Sequence, residues 1–219
     1  MSRKAYYPLF ADLEGRRCIV VGGGIVAQRK VTMLLRCGAA VTVVSPTLTP
    51  SLALSAQRGR IRHIHRRFRP RDVRGAWLVY AATDDQRINE QVYETTSRLR
   101  IFTNVVDQKP LCSFIAPAIF TRGSLTVAVS TGGASPSLSK RIRDELAHRV
   151  GAEYAPLLRL LADLRGIAKR RLPQYEDRKR YFDQLVRGRV VELMRAGKRR
   201  EARAEALKLL GRCANNGHR

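Results

Sequence analysis

The 219-residue sequence predicts an α/β protein: a doubly wound parallel sheet, then a small α+β segment, then a C-terminal helical domain. Three observations predict it. Short apolar runs alternate with amphipathic stretches at strand–helix–strand spacing through the first half. The first run ends in three consecutive glycines that open a helix. From Glu153 onward only helical periodicity remains. The boundaries read as 1–113, 114–150 and 151–219.

Each element follows from its residues. Cys18-Ile19-Val20-Val21 is the first strand, closing on Gly22-Gly23-Gly24. Ile25 to Cys37 is a helix with Val26, Val31, Leu34 and Leu35 inward, and Gly38 stops it. Val41 to Val44 is the second strand, closed by Ser45-Pro46, and Leu48 to Gln57 the second helix. Ile61 to His65 and Trp77 to Ala82 are the third and fourth strands. Asp84 and Asp85 are suited to start the helix Arg87 to Arg98, and Ile101 to Val105 is the fifth strand. After Asp107-Gln108-Lys109-Pro110 the pattern changes. Phe114 to Phe120 and Leu125 to Ser130 read as two strands joined by a turn, and a loop of small residues leads to a helix over Ser137 to Val150. Tyr154, Leu157, Leu158, Leu161 and Leu164 then form a helical stripe, and Pro173 and Gly188 punctuate the later helices.

Composition narrows the class. Lys and Arg number 42 against 18 Asp and Glu, a net charge of +24, while 44% hydrophobic residues supply ample core. No run approaches the ~18 apolar residues of a membrane span, and the N-terminal residues show no apolar stretch for a secretory leader. A cytoplasmic protein is expected. Cys18, Cys37, Cys112 and Cys213 lie far apart with no C-x-x-C, which argues against zinc and against a disulfide framework, and Cys18 and Cys37 are expected to be buried. The densest basic run, Arg58 to Arg74, holds eight Arg with His63 and His65 against the single Asp72. It raises nucleic-acid binding, but no RNA-binding aromatic signature or zinc-finger spacing accompanies it. A solvated Arg-rich surface is the plainer reading.

Gly22-x-Gly24-x-x-Ala27 between a strand and a helix is the most informative motif. The first glycine permits the tight turn, the second lets a pyrophosphate approach the backbone, and the small third residue lets helix and strand pack. Amides at the helix start, Ile25 and Val26 among them, would hold the phosphates, with Gly23 completing the loop. The expected fold is therefore Rossmann-like and the ligand a dinucleotide. About 20 positions on, where an acidic residue usually takes the adenine ribose, stand Ser45, Pro46 and Thr47, so the motif leaves NAD or NADP open. Thr83, at the end of the fourth strand, and Asn104, in the fifth, should reach the same ligand edge. Asp107 should emerge there too, with a turn-forming Asp before Pro110 as the competing explanation. A Tyr175-x-x-x-Lys179 spacing lies in the basic helical tail, beyond any strand, and is set aside.

Together these residues resemble one family. Tyr7-Pro8-Leu9-Phe10, VVGGGIVAQRK (Val20 to Lys30), AATDD (Ala81 to Asp85), NVVD (Asn104 to Asp107), CSFIAPA (Cys112 to Ala118) and LTVAVSTGGASPSLSKRIR (Leu125 to Arg143) look like the precorrin-2 dehydrogenase module of siroheme synthases. The resemblance implies NAD-dependent oxidation of precorrin-2 to sirohydrochlorin. In many members insertion of ferrous iron at the same site follows, giving a sirohydrochlorin ferrochelatase activity. It implies a homodimer interlocked through segment 114–150 and a helical domain over the tetrapyrrole substrate. It makes Asp107 the essential carboxylate, for proton transfer and for transient metal handling, and puts Ser130, Thr131 and Gly132 on the substrate side. The methyltransferase domain fused in some relatives has no counterpart within these 219 residues, so a SAM-dependent step is expected of another protein. Two alternatives stand beside this reading: a metal chelatase only, or a nucleotide-gated regulatory protein that touches nucleic acid through Arg58 to Arg74.

Overall fold

A computed structural model describes residues 5–216. The N-terminal stretch 1–4, included above in the search for a leader, lies outside the described residues, as does 217–219. The chain divides between Ala116 and Pro117 into two compact units.

The first unit is a five-stranded parallel sheet in the order β3-β2-β1-β4-β5. Its elements are β1 (Arg17–Val21), α1 (Ile25–Arg36), β2 (Ala40–Val44), α2 (Pro50–Gln57), β3 (Arg62–Ile64), β4 (Leu78–Ala81), α3 (Gln86–Arg98) and β5 (Phe102–Val105). The strands are nearly continuous apolar runs because both faces are covered. On one face Cys18, Val20, Val41, Val43 and Tyr80 pack with Ala27, Val31 and Leu34 of α1 and Leu52 of α2. On the other, Ile19, Val21, Val44, Val79, Ala81 and Val105 pack with Val92 of α3 and with Phe68 and Val73 of the β3–β4 connection.

That connection accounts for part of the basic run. Asp72 is buried and accepts a two-point ion pair from Arg66 (2.6 and 2.8 Å) and a bond from the Arg69 amide (2.8 Å). The Arg66 guanidinium holds the Asp72 carboxyl below its ordinary range, against the effect of burial. Arg17 of β1 donates to the backbone carbonyls of Asp72 and Arg74. The Asp72 carboxylate thus closes the connection on itself, and the Arg17 guanidinium ties it to β1.

The second unit opens with an antiparallel hairpin, β6 (Ala118–Arg122) and β7 (Leu125–Val129), turned by Gly123 at φ +61°. It continues through α4 (Pro136–Arg149), α5 (Tyr154–Arg171), α6 (Tyr175–Arg187), α7 (Arg189–Arg195) and α8 (Arg199–Asn216). The last four helices share a core that includes Leu157, Leu160, Leu164, Tyr181, Leu185, Met194 and Leu210. Among the described residues no helix is long and apolar enough to cross a membrane.

Several expectations are corrected. Phe114 does not begin a strand; it packs edge-on against Tyr80 (5.4 Å) and Phe102 (6.4 Å) in the first unit, and β6 starts at Ala118. Val26 is 40% exposed, because a residue in the first turn of α1 overhangs the sheet edge, whereas Leu35 packs against the core as expected. Cys37 is exposed just beyond the last turn of α1. Trp77 stays outside β4 under the Arg16 guanidinium, 4.2 Å from the ring centre. The α5 stripe runs through Leu157, Leu160 and Leu164, with Leu158 and Leu161 at its flanks.

Candidate functional site

Strand order reverses between β1 and β4, so loops leaving the C-terminal ends of β1, β2, β4 and β5 frame the crevice where doubly wound sheets take ligands. Hydrogen bonds brace them. The Gly22 amide donates to Val44 O (3.0 Å), Thr49 N to Gly23 O (2.9 Å) and Val106 N to Ala81 O (2.9 Å). The Thr49 hydroxyl donates to Gln28 of α1 (2.7 Å) and also caps α2.

The three glycines do different work. Gly22 has φ +118°, and a Cβ on it would collide with the Ala82 carbonyl. A Cβ on Gly23 would collide with the Thr47 carbonyl. Both are demanded by the protein itself. Gly24 is extended (φ −81°, ψ −173°), a conformation open to any residue, and a Cβ there would meet no protein atom within 4 Å. It caps α1 without a side-chain bond, whereas Thr49, Asp85 and Ser135 cap α2, α3 and α4 with theirs. The first amides of α1 therefore face open space beside exposed Ile25 and Val26. That arrangement fits a pyrophosphate: a backbone cradle that a Cβ would fill, at the positive end of a helix dipole.

The β2 loop divides into a buried base and an exposed tip. Ser45 is buried, and its hydroxyl accepts from the Thr47 amide (3.4 Å) while His63 Nε2 lies 2.9 Å from its carbonyl. Pro46 and Thr47 are exposed. Thr83 braces the start of α3, its hydroxyl accepting from Asp85 N (3.3 Å) and its carbonyl from the Asn89 side chain (2.9 Å). Asn104 is buried, and its amide donates to Phe114 O (3.0 Å). Asp107 is exposed with φ +60°, a left-handed backbone that Asp tolerates better than most residues.

The sequence reading missed Lys30. It is half-buried on α1, its ammonium 5.0 Å from the Tyr80 ring centre. Burial lowers its pKa, opposed by the charge of Asp107 and by Cys112. Its position between Ala27 and Val31, both buried, marks it as the edge of the inward stripe, the one signal that could have found it. Cys112 sits behind the β5 loop, its thiol 3.2 Å from Val105 O.

The first unit thus brings Gly22 to Val26, Ser45 to Thr47, Thr83, Asn104 and Asp107 to one sheet edge. Ser130, Thr131 and Gly132 belong to the second unit. There the Thr131 hydroxyl accepts from Ser135 N (3.0 Å) and donates to Ser135 O (3.0 Å), fixing the loop into α4. Ser130 is exposed, and its hydroxyl accepts from the Gly132 amide (3.1 Å).

Comparison with known proteins bears on the whole chain. Residues 9–118 match the family model described as putative NAD(P)-binding, 122–149 the sirohaem biosynthesis protein central model, and 153–210 the sirohaem synthase dimerisation region. The dimerisation name thus falls on the helical part rather than on 114–150. The siroheme synthase of Thioalkalivibrio sulfidiphilus is 43% identical over 205 residues, covering 94% of this chain and 42% of its own. That of Methylobacillus flagellatus is 41% identical over 196 residues, covering 90% and 42%. The chain therefore spans about two fifths of the length of these relatives. The solved structure of SirC, precorrin-2 dehydrogenase, superposes with a TM-score of 0.76 at 28% identity, covering 93% of this chain and 100% of that one. With three adjoining family matches from residue 9 to residue 210, the chain belongs to the family described as putative NAD(P)-binding and continues through a sirohaem biosynthesis protein central region and a sirohaem synthase dimerisation region.

Proposed function

We propose that this chain oxidises precorrin-2 to sirohydrochlorin, with NAD as acceptor, in siroheme biosynthesis. The observation that carries the reading is the uncapped start of α1, opened by Gly24, on the same sheet edge as the exposed carboxylate of Asp107. NAD, when bound, supplies the hydride acceptor. The amides of Ile25 and Val26 hold its pyrophosphate, and Pro46 and Thr47 border its ribose while buried Ser45 supports their loop. Thr83 and Asn104 shape the floor between β4 and β5. The oxidation removes a hydride and a proton from the macrocycle, and Asp107 takes the proton as general base. Ser130, Thr131 and Gly132 are our proposed substrate-binding residues of the second unit.

The choice of NAD rests on similarity to the siroheme synthases, since the β2 loop has no carboxylate to repel a 2′-phosphate. We assign ferrous iron as a second substrate, handled by the Asp107 carboxylate after oxidation. The working form is a cytoplasmic homodimer. Nucleic acid is no part of the proposal.

Incubating the protein with precorrin-2 and either NAD or NADP, while following the absorbance of the reduced cofactor, tests the reading. Reduction of NAD is expected. No reduction with either cofactor overturns it.

A further inference from the structure

Lys30 is a cation placed at the ligand edge with most of its bonding capacity unused. About 7.5 Å of helix separates it from Ile25 at the mouth of the crevice. Side chains on an α-helix lean toward its N-terminus, which for α1 is the ligand edge, so the stem of Lys30 runs up toward that edge rather than down into the core. It passes over Tyr80 of β4, where the ammonium rests 5.0 Å from the ring centre. The charge of Asp107 acts on it from a distance, yet among the described residues it forms no ion pair within 4.0 Å and no hydrogen bond. An ammonium has three N–H donors, and an aromatic face satisfies them poorly. A half-buried cation in this state has donors free to meet an anion brought by a ligand.

Two anions could arrive, the pyrophosphate of the dinucleotide or a carboxylate of the substrate. The pyrophosphate belongs to Gly24 and the amides at the start of α1. Lys30 instead lies over β4, on the Asp107 side of the crevice, away from the β2 loop that borders the ribose. Resting on the dehydrogenase reading above, we propose that Lys30 is a positioning residue that pairs with a peripheral carboxylate of the tetrapyrrole and so holds the macrocycle beside Asp107. The bond is made equally in ground and transition states, so it acts on binding rather than on the chemical step.

The test compares wild type with Lys30→Gln and Lys30→Arg, after circular dichroism establishes that both variants fold. Lys30→Gln should raise the KM for precorrin-2 by about 10- to 100-fold, the range for a hydrogen bond to a charged group, with kcat nearly unchanged. Binding of sirohydrochlorin without cofactor, followed by its visible absorbance, should weaken by a similar factor. The dissociation constant of NAD should hold, and Lys30→Arg should restore most of the tetrapyrrole affinity. Unchanged KM and sirohydrochlorin binding in a folded Lys30→Gln overturns the proposal. So does a weakened NAD affinity with tetrapyrrole binding intact, which would give the ammonium to the pyrophosphate. A wild type that reduces no cofactor overturns the dehydrogenase reading itself, whereas an active wild type with an unmoved Lys30→Gln overturns only the role of Lys30.

Discussion

The two units bury their sheets differently. In the first, strands such as Ile19, Val20, Val43 and Val79 are wholly buried because helices or connections cover both faces. In the second, the hairpin buries Phe120 but leaves Leu125, Val127 and Val129 half-exposed and Thr126 and Ala128 exposed. A two-stranded hairpin is marginal in water without further packing, and α4 supplies only part of it. The sheet of the first unit is therefore covered on both faces. The hairpin of the second leaves apolar side chains half-exposed. Substitutions can separate what each region does for stability from what it does for chemistry.

The largest effect is expected at the ligand edge of the first unit. Asp107→Asn keeps the size of the side chain and removes its basicity. Precorrin-2 oxidation should fall by roughly 10²–10⁴-fold while NAD still binds and the urea midpoint stays put. If iron insertion uses the same carboxylate, it should fall in the same variant when sirohydrochlorin is supplied directly. Retention of both activities would return Asp107 to a turn residue before Pro110.

Asp72 tests the other half of the comparison, stability without chemistry. Asp72→Asn leaves the partly exposed Arg66 guanidinium and the Arg69 amide with a poorer partner, which should destabilise the first unit by about 1–3 kcal/mol. The pH dependence has a definite sign. A carboxyl held below its ordinary pKa of ~3.9 stabilises the fold above that pH, and the contribution drains away as pH falls through the lower folded value. Urea titrations of Asp72→Asn should show a shallower loss of stability on acidification than wild type. Parallel curves would mean that the ion pair contributes little.

These two aspartates also measure what the sequence made legible. The apolar runs located β1, β2, β4 and β5, and the glycine spacing located the cradle, because both signals are local. Asp85 was recognisable as a cap from its place before a helical stretch. What stayed hidden depends on partners far along the chain. Asp72 reads as a stray acid in a basic run until Arg17 and Arg66 are seen to converge on it. Phe114 reads as strand because its apolar neighbours do, yet Tyr80 and Phe102 hold it in the first unit. Ser45 reads as a ribose ligand, and only the fold reveals that its hydroxyl points into its own loop. Lys30 sat inside a recognised motif, but spacing alone does not say that its ammonium lies over Tyr80.

Gly24 sharpens the contrast inside the cradle. Because its backbone is unstrained and its Cβ direction is empty, Gly24→Val should fold with a nearly wild-type melting temperature. It should weaken NAD by about 10- to 100-fold, the value of one lost hydrogen bond to a charged group. Gly22→Val should instead be unstable, since its Cβ meets the Ala82 carbonyl at a positive φ. Unchanged NAD titration in folded Gly24→Val would move the cofactor elsewhere.

The smallest effect is expected in the helical core of the second unit. Tyr181 is fully buried, and its hydroxyl donates to Ala206 O at 3.0 Å, tying α6 to α8. Tyr181→Phe keeps the ring and removes one neutral hydrogen bond, so it should cost about 1 kcal/mol. Burial pushes the Tyr181 phenol up to about 12, from an ordinary value near ~10. A phenol that ionises more readily when unfolded stabilises the fold below pH ~10, and that contribution is lost as pH rises toward the folded value. Tyr80 of the first unit is shifted to about 12 in the same sense, so each unit carries a buried phenol displaced upward. Tyr181→Phe should therefore flatten the alkaline loss of stability only for unfolding of the helical unit, and Tyr80→Phe only for the sheet unit. Hydrogen exchange read separately on α8 and β4 distinguishes them. Equal flattening at both sites in either variant would mean that the two units unfold together, and that the division of the chain is one of packing and not of stability.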